Sequence, residues 1–395
     1  MFNKNKIKNI YLDNASGTEM SKRVRRVILK SFDMQYGNPD AIHQRGVLAK
    51  KRIEEARGFI ASCIGAHPDE IIFTSGGTES DNLAILGALR KAKSEGIGNH
   101  VMISAVEHSA VYSLIDVLKN EGFEVDIIPV DETGELLLSF IKENLKPETI
   151  LVSVMMANNE TGILYGIKDI AKIIRQFKKT NEKSESRYPL LHTDAIQAFQ
   201  TEEIKVDSLG VDLLTLSSQK IYGPLGIGML YVKRGTPILP IIFGGGQERG
   251  LRSGTLPTSL ILGMEEAFRE TSELRAKEKA RLKNLREFFV ENLKENFDSI
   301  GIIGEGLSHV PQIVSVKFKN VASESLLLYL DQAGIFVSSK SACDSSTDKK
   351  SHVLEALEVG DGVGVIRFSF GRDTKKSDLV YVIKKIKKIL PLITS

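Results

Sequence analysis

The chain has 395 residues, 42% of them hydrophobic and 26% charged, with 53 basic against 50 acidic side chains and a formal net charge of +3. That length suits two domains sharing a site, and a charge so balanced argues against nucleic acid or an anionic membrane as the main partner. Two cysteines, Cys63 and Cys343, without a CxxC, exclude a disulfide framework and fit a reducing compartment.

The N-terminal stretch MFNKNKIKNIYLDN is basic but lacks the continuous apolar core of a signal peptide. No apolar run is long enough to cross a bilayer, so a cytoplasmic location is expected. From about residue 17 to 257, apolar β-rich runs alternate with helical segments. The strands expected are Ile71–Thr74, Val101–Ser104, Val125–Val130, Ile150–Met155, Leu190–Thr193, Leu213–Leu216 and Ile227–Val232. Helices are expected over Ser80–Lys93 and Ile167–Lys178, and the polar run 178–189 reads as an exposed loop. This is an α/β pattern, a mostly parallel seven-stranded sheet covered on both faces.

After Pro257 the pattern changes to a long charged helix (about 259–296), a strand (Gln312–Lys319), a helix (Glu324–Ala333), strands at Ile335–Ser338 and Val365–Phe370, and a closing helix. These read as a smaller α+β domain. The expected division is 17–257 for the large domain, with 1–16 and 258–395 forming the small one. The closing helix puts Leu379, Ile383, Ile386 and Leu390 on one face and Lys384, Lys385, Lys387 and Lys388 elsewhere, the pattern of a solvated helix.

Ligands of such sheets bind beyond the carboxyl ends of the strands, so the chemistry is sought there. TSGGTESDN (74–82) offers glycines and hydroxyls at a helix start, which suits an anion or an ordinary helix cap. His108 follows the second strand and Asn158–Asn159 the fourth. Asp194 closes the fifth, with Gln197 just beyond, and Lys220 follows Ser217 and Ser218 at the end of the sixth. Each signal alone is weak. Together they form the set that pyridoxal 5′-phosphate requires: a phosphate cup, a ring-stacking histidine, a carboxylate for the ring nitrogen and a lysine that bonds the aldehyde.

The sequence resembles the cysteine desulfurases of iron–sulfur-cluster assembly, fold type I pyridoxal-phosphate enzymes of the class-V aminotransferase type. The resemblance rests on YLDNASGT (11–18), EIIFTSGGTESDN (70–82), VEHSAV (106–111), NNETG (158–162), HTDAIQ (192–197), SSQKIYGPLGIG (217–228), GGGQERGLRSGT (244–255), SSKSAC (338–343) and IRFSFGR (366–372). It implies that Gly77, Thr78 and Ser217 bind the phosphate, with Thr255 reaching it from a second copy in a homodimer. It also implies that His108 stacks on the ring and moves protons. Asn159 and Gln197 would lie near the phenolic oxygen, Asp194 would pair with the ring nitrogen, and Arg367 would grip the carboxylate of L-cysteine.

Lys220 and Cys343 are then the central catalytic residues. The resemblance implies that the thiol takes sulfur from L-cysteine as a persulfide, releasing L-alanine, and passes it to an acceptor such as a cluster scaffold or a tRNA-thiolation enzyme. It also allows Cys343 to ligate a nascent cluster in transit, and no resident metal is expected. SSKSACDSSTDKKSH (about 338–352) is polar and aperiodic and reads as a mobile loop, whereas Cys63 shares a helical stripe with Ile53, Ala56 and Ile60 and reads as structural.

Two positions depart from the family pattern. Gln219 stands where a histidine usually precedes the lysine, and can still donate a hydrogen bond to the phosphate but cannot carry a proton. Lys340 replaces a glycine, placing a positive charge that favours the Cys343 thiolate. A selenocysteine lyase or another transferase on the same fold, and a catalytically silent scaffold, are the alternatives. A Cys343→Ser variant separates the aminotransferases, which do not need the thiol.

Overall fold

The computed structural model describes residues 8–34, 37–181, 186–339 and 351–393. Cys343 and Lys340 therefore lie outside the described residues, as do most of the expected 338–352 loop and part of the 178–189 loop.

The described chain opens with β1 (Ile10–Tyr11), α1 (Lys22–Met34) and α2 (Gln44–Ile64). There follow β2 (Ile71–Thr74), α3 (Gly77–Ser94), β3 (His100–Ser104), α4 (Ser109–Tyr112), α5 (Leu114–Asn120), β4 (Glu124–Ile128), α6 (Leu138–Asn144) and β5 (Thr149–Ser153). Then come α7 (Ile167–Thr180), β6 (Leu190–Asp194), α8 (Val206–Leu209), β7 (Leu213–Ser217) and β8 (Gly228–Val232). β2 to β8 form one seven-stranded sheet in the order β2-β8-β7-β6-β5-β3-β4. The expected strands are all present, with ends differing by up to two residues. β3, β5, β6 and β7 are buried along their whole length, which is why they read as unbroken apolar runs: helices cover both faces.

Pairing is parallel from β4 through β7, and only β8 runs backwards, antiparallel to β2 and β7. Its first residue, Gly228, abuts the turn after β2. A Cβ there would stand 2.8 Å from Gly76 Cα and carbonyl carbon, so the close approach requires glycine. The carboxyl ends of β2, β6 and β7 thus meet at one edge of the sheet.

The remainder comprises α9 (Thr258–Asn296), β9 (Ile300–Ile302), β10 (Ile313–Lys319), α10 (Ser323–Gln332), β11 (Ile335–Phe336), α11 (His352–Ala356), β12 (Val363–Ser369) and α12 (Lys376–Ile393). β12-β10-β9 is antiparallel, and β11 pairs in parallel with β1. Ile10 and Leu12 pack with this sheet, α10 and α12 in a second core. α9 joins the two cores, burying Ile261, Met264 and Phe268 in the first and Leu282, Phe289 and Leu293 in the second. Among the described residues, no helix is long and apolar enough to cross a membrane.

Candidate active site

Strand ends and loops converge on a cavity of about 150 Å³. Gly77, Thr78, His108, Asn159, Asp194, Gln197, Ser217, Gln219, Lys220 and Arg367 all line it. Ala15, Ser16, Asp81 and Ile196 complete the wall. Two expected residues are not in that lining. Cys343 lies outside the described residues, and Thr255 is exposed and absent from the lining.

The turn after β2 opens α3 through Gly76, at φ 155° and ψ −174°, a conformation essentially restricted to glycine. A Cβ on Gly77 would meet Ile196 Cδ1 at 2.4 Å. The first turn of α3 therefore presents bare backbone N–H groups at a helix N-terminus, where an anion is stabilised. Glu79 holds the turn: it accepts from Ser75 N at 2.8 Å and pairs with Arg252 at 2.8 Å. His108 caps α4, its Nδ1 accepting from Ala110 N at 3.1 Å, which fixes the ring plane at the cavity wall.

Asp194 is the last residue of β6 and is buried. Its Oδ1 accepts from Ile196 N at 2.8 Å. Burial lifts its pKa to about 6, while that amide and the charge of Lys220 oppose the rise. Such a carboxylate gains most from a cation brought against it. Lys220 lies in a single 3₁₀ turn, Ser218–Lys220, directly after β7. Its Nζ donates to Ser16 O at 2.5 Å.

The adjacent asparagines divide their work. Asn158 Oδ1 accepts from the amides of Glu160 and Thr161, closing the turn. Asn159 faces the cavity, and its buried Oδ1 has no partner among the described residues. Gln197 Nε2 donates to Ala15 O at 2.9 Å.

Arg367, on β12, brings the second sheet to the site. Its Nη2 donates to Asp13 Oδ1 at 2.8 Å and Ser16 Oγ at 2.6 Å, and its Nη1 to Asn159 O at 2.9 Å. The segment 13–16 is a hub that the sequence reading left without a role: Asp13 and Ser16 orient the guanidinium, Ser16 O holds the lysine and Ala15 O holds Gln197. Its signal was the polar, small-residue run DNASG directly after the first apolar residues. Asp81, which also lines the cavity, was likewise given no role.

These residues fit pyridoxal 5′-phosphate. An anion cradle, an unsatisfied amide oxygen, a buried carboxylate favouring a cation and a lysine amine surround one space of suitable chemistry. Residues 10–382 match the family model described as class-V aminotransferase. A protein named cysteine desulfurase IscS from Dictyoglomus turgidum is 39% identical over 383 residues, 96% of this chain and 94% of its own. The chain belongs to the cysteine desulfurases of the class-V aminotransferase family. A second IscS desulfurase, from Archaeoglobus fulgidus, is 39% identical over 392 residues, covering 97% of this chain and 99% of that protein. Among solved structures, a NifS-like protein superposes with a TM-score of 0.89 at 32% identity, over 98% of this chain and all of its own.

This desulfurase is accordingly a pyridoxal-phosphate enzyme with a fold type I architecture. The segment 244–255 is tied to its sheet at two points. Glu248 forms a fully buried pair with Arg57 at 2.6 Å and accepts from Phe73 N in β2, and Arg252 pairs with Glu79 in α3. Thr255, the last residue of that segment, is exposed and does not line the cavity of its own chain.

Proposed function

We propose that this enzyme converts L-cysteine to L-alanine, with Cys343 taking the sulfur as a persulfide and delivering it to an acceptor protein for cluster assembly or tRNA thiolation. The observation that carries the reading is the convergence of Lys220, Asp194, the Gly76–Thr78 turn and Arg367 on one cavity.

The cofactor, held by Lys220, supplies an electron sink for the bonds at the substrate's Cα. Gly77 and Thr78 at the helix start, with Ser217 at the end of β7, would hold its phosphate, Asp194 would supply the negative charge for its ring nitrogen, and His108 would hold its ring. Asn159 and Gln197 would supply amide groups to its phenolic oxygen. Arg367 receives the substrate carboxylate, a planar fork on a planar anion, which aims Cα at the lysine amine. Lys220 Nζ then accepts the Cα proton, and His108 assists proton movement.

The Cys343 thiolate attacks the substrate sulfur. The new S–S bond forms, the Cβ–S bond breaks, and its electron pair stays with the carbon fragment, which gains a proton at Cβ, receives the Cα proton back from Lys220 and leaves as L-alanine. Ser338, five residues before Cys343 in sequence, is paired through its backbone with Arg367, at 2.7 and 3.3 Å. The chain bearing the thiol therefore departs from beside the carboxylate-binding residue.

A homodimer completes the phosphate site with Thr255 of a second copy. Exposed Leu225, Phe243, Ile42, Val47 and Leu48 supply apolar surface for that contact. Gln247 Nε2, which donates to Asp40 at 2.9 Å, links the two segments that carry Phe243 and Ile42.

The test is the mass of the purified holoenzyme after brief exposure to L-cysteine without reductant, with alanine quantified and native mass taken on the same sample. One added sulfur mapped to Cys343, matched by alanine, in a species of two chains is expected. Alanine formed equally by Cys343→Ser would sink the persulfide route, and a single-chain species would sink the role of Thr255.

A further inference from the structure

Asp81 stands on the first turns of α3 and lines the cofactor cavity, yet the reaction above gives it nothing to do. Its side chain is fully buried, and neither carboxylate oxygen has a hydrogen-bond partner among the described residues. Such a group carries a large desolvation penalty if ionised. The titratable groups around it come from several elements: Asp194 and His192 from β6, Glu107 from the turn before α4, and Lys220 from the turn after β7. His108 and Arg367 line the same cavity.

One partner could hold Asp81 as a carboxylate, namely a protonated His192, and the geometry disfavours that pair. His192 Nε2 is 3.6 Å from Asp81 Oδ1, beyond hydrogen-bond distance, and closer to Thr215 Oγ1 at 3.2 Å. Its Nδ1 is engaged with Ser153 Oγ at 2.9 Å, so two hydroxyls satisfy a neutral ring. Burial alone depresses the pKa of His192 to about 3. The Thr215 hydroxyl lies near enough to Asp81 to ease a charge but makes no well-formed hydrogen bond to it.

Asp194 differs in kind. It has an amide donor on Oδ1 and the Lys220 cation in reach. Two neighbouring carboxyls in a low-dielectric wall do not both ionise, and the better-solvated one keeps the charge.

We propose that Asp81 is a neutral carboxylic acid in the working enzyme and a positioning residue for Asp194, filling the wall of the same cavity without adding a second negative charge. This rests on the reading of Asp194 as the partner of the ring nitrogen. A single carboxylate then faces the cofactor. An ionised Asp81 would compete for the same cation and repel Asp194 from its place.

The test is infrared spectroscopy of holoenzyme labelled with ¹³C-aspartate, at about pH 8, above the Asp194 titration. The expected result is a protonated-carboxyl C=O stretch in the wild type that is absent from Asp81→Asn. Asp81→Asn, a neutral isostere, should hold the cofactor with a dissociation constant within about threefold of wild type. A wild type without the band, a band that persists in Asp81→Asn, or a tenfold weakening of cofactor binding each overturns the proposal. The Asp194 reading is tested apart: Asp194→Asn should lose cofactor affinity by about tenfold or more, and if it does not, that reading fails whatever the infrared band shows.

Discussion

Gln219 is clamped by its backbone rather than its side chain. Its carbonyl accepts from both the amide and the hydroxyl of Thr18, at 3.0 and 2.8 Å, and its side chain borders the cavity next to Lys220. Gln219→His therefore places an imidazole on a fixed backbone. It should add a titration near histidine's ordinary pKa of about 6.5 to the pH–rate profile, while cofactor affinity stays within about tenfold. A pH–rate profile superimposable on the wild type's would show that position 219 takes no part in proton traffic. Lys220, Asp194 and His108 were legible in the sequence because each follows an apolar strand, where an open α/β sheet puts its ligands. Asp13 and Ser16 were not, because what gives them a role is Arg367, more than 350 positions away and on another sheet. Asp81 was hidden for a different reason: in sequence it is one more polar residue in a helix.

The elements were easier to read than their directions. Runs such as Leu213–Leu216 mark buried strands, yet nothing in Ile227–Val232 says that β8 is reversed; that follows from the tight return through Gly223–Gly228 and the glycine-only approach to Gly76. The composition change at Pro257 marks the start of α9 rather than the end of the sheet, whose last strand closes at Val232, and α9 feeds both cores. The segment 244–255 contains only one short 3₁₀ turn and is fixed instead by ion pairs, which no periodicity announces. Removing Glu248 would leave Arg57 as a buried charge without its bidentate partner and strip the acceptor from Phe73 N. Glu248→Ala should therefore lower unfolding stability by about 3–5 kcal/mol, with Glu248→Gln milder because an amide oxygen can still accept. Denaturant midpoints of the holoenzyme measure it, and a midpoint unchanged in Glu248→Ala would show that the pair holds nothing together.

For the molecule as a whole, the polar groups buried behind the sheet set a pH dependence. Glu107 is fully buried, with Oε1 accepting from Ser104 Oγ at 2.8 Å and Met155 N at 2.7 Å, and Oε2 without a partner among the described residues. Burial pushes its pKa up to about 8, helped by the charge of Asp194 and opposed by those two donors. Native protein therefore keeps a proton there that the unfolded chain releases near pH 4.5, so this group makes stability fall as pH rises, until about pH 8. His192 acts in the opposite sense, since its pKa is lowered to about 3 and the unfolded chain binds the extra proton below about pH 6.5. The two oppose one another in acid. From about pH 6.5 to 8 Glu107 acts together with Asp81, whose neutral acid works in the same sense, with a slope of up to about 1.4 kcal/mol per pH unit for each retained proton. Unfolding stability of the holoenzyme should therefore decline over that window, and Glu107→Gln, which keeps the acceptor but cannot ionise, should make the decline shallower, leaving the share that belongs to Asp81. Thermal midpoints taken across the window decide it: a wild type whose midpoint holds steady or rises, or a Glu107→Gln variant that falls just as steeply, would place the controlling titration elsewhere.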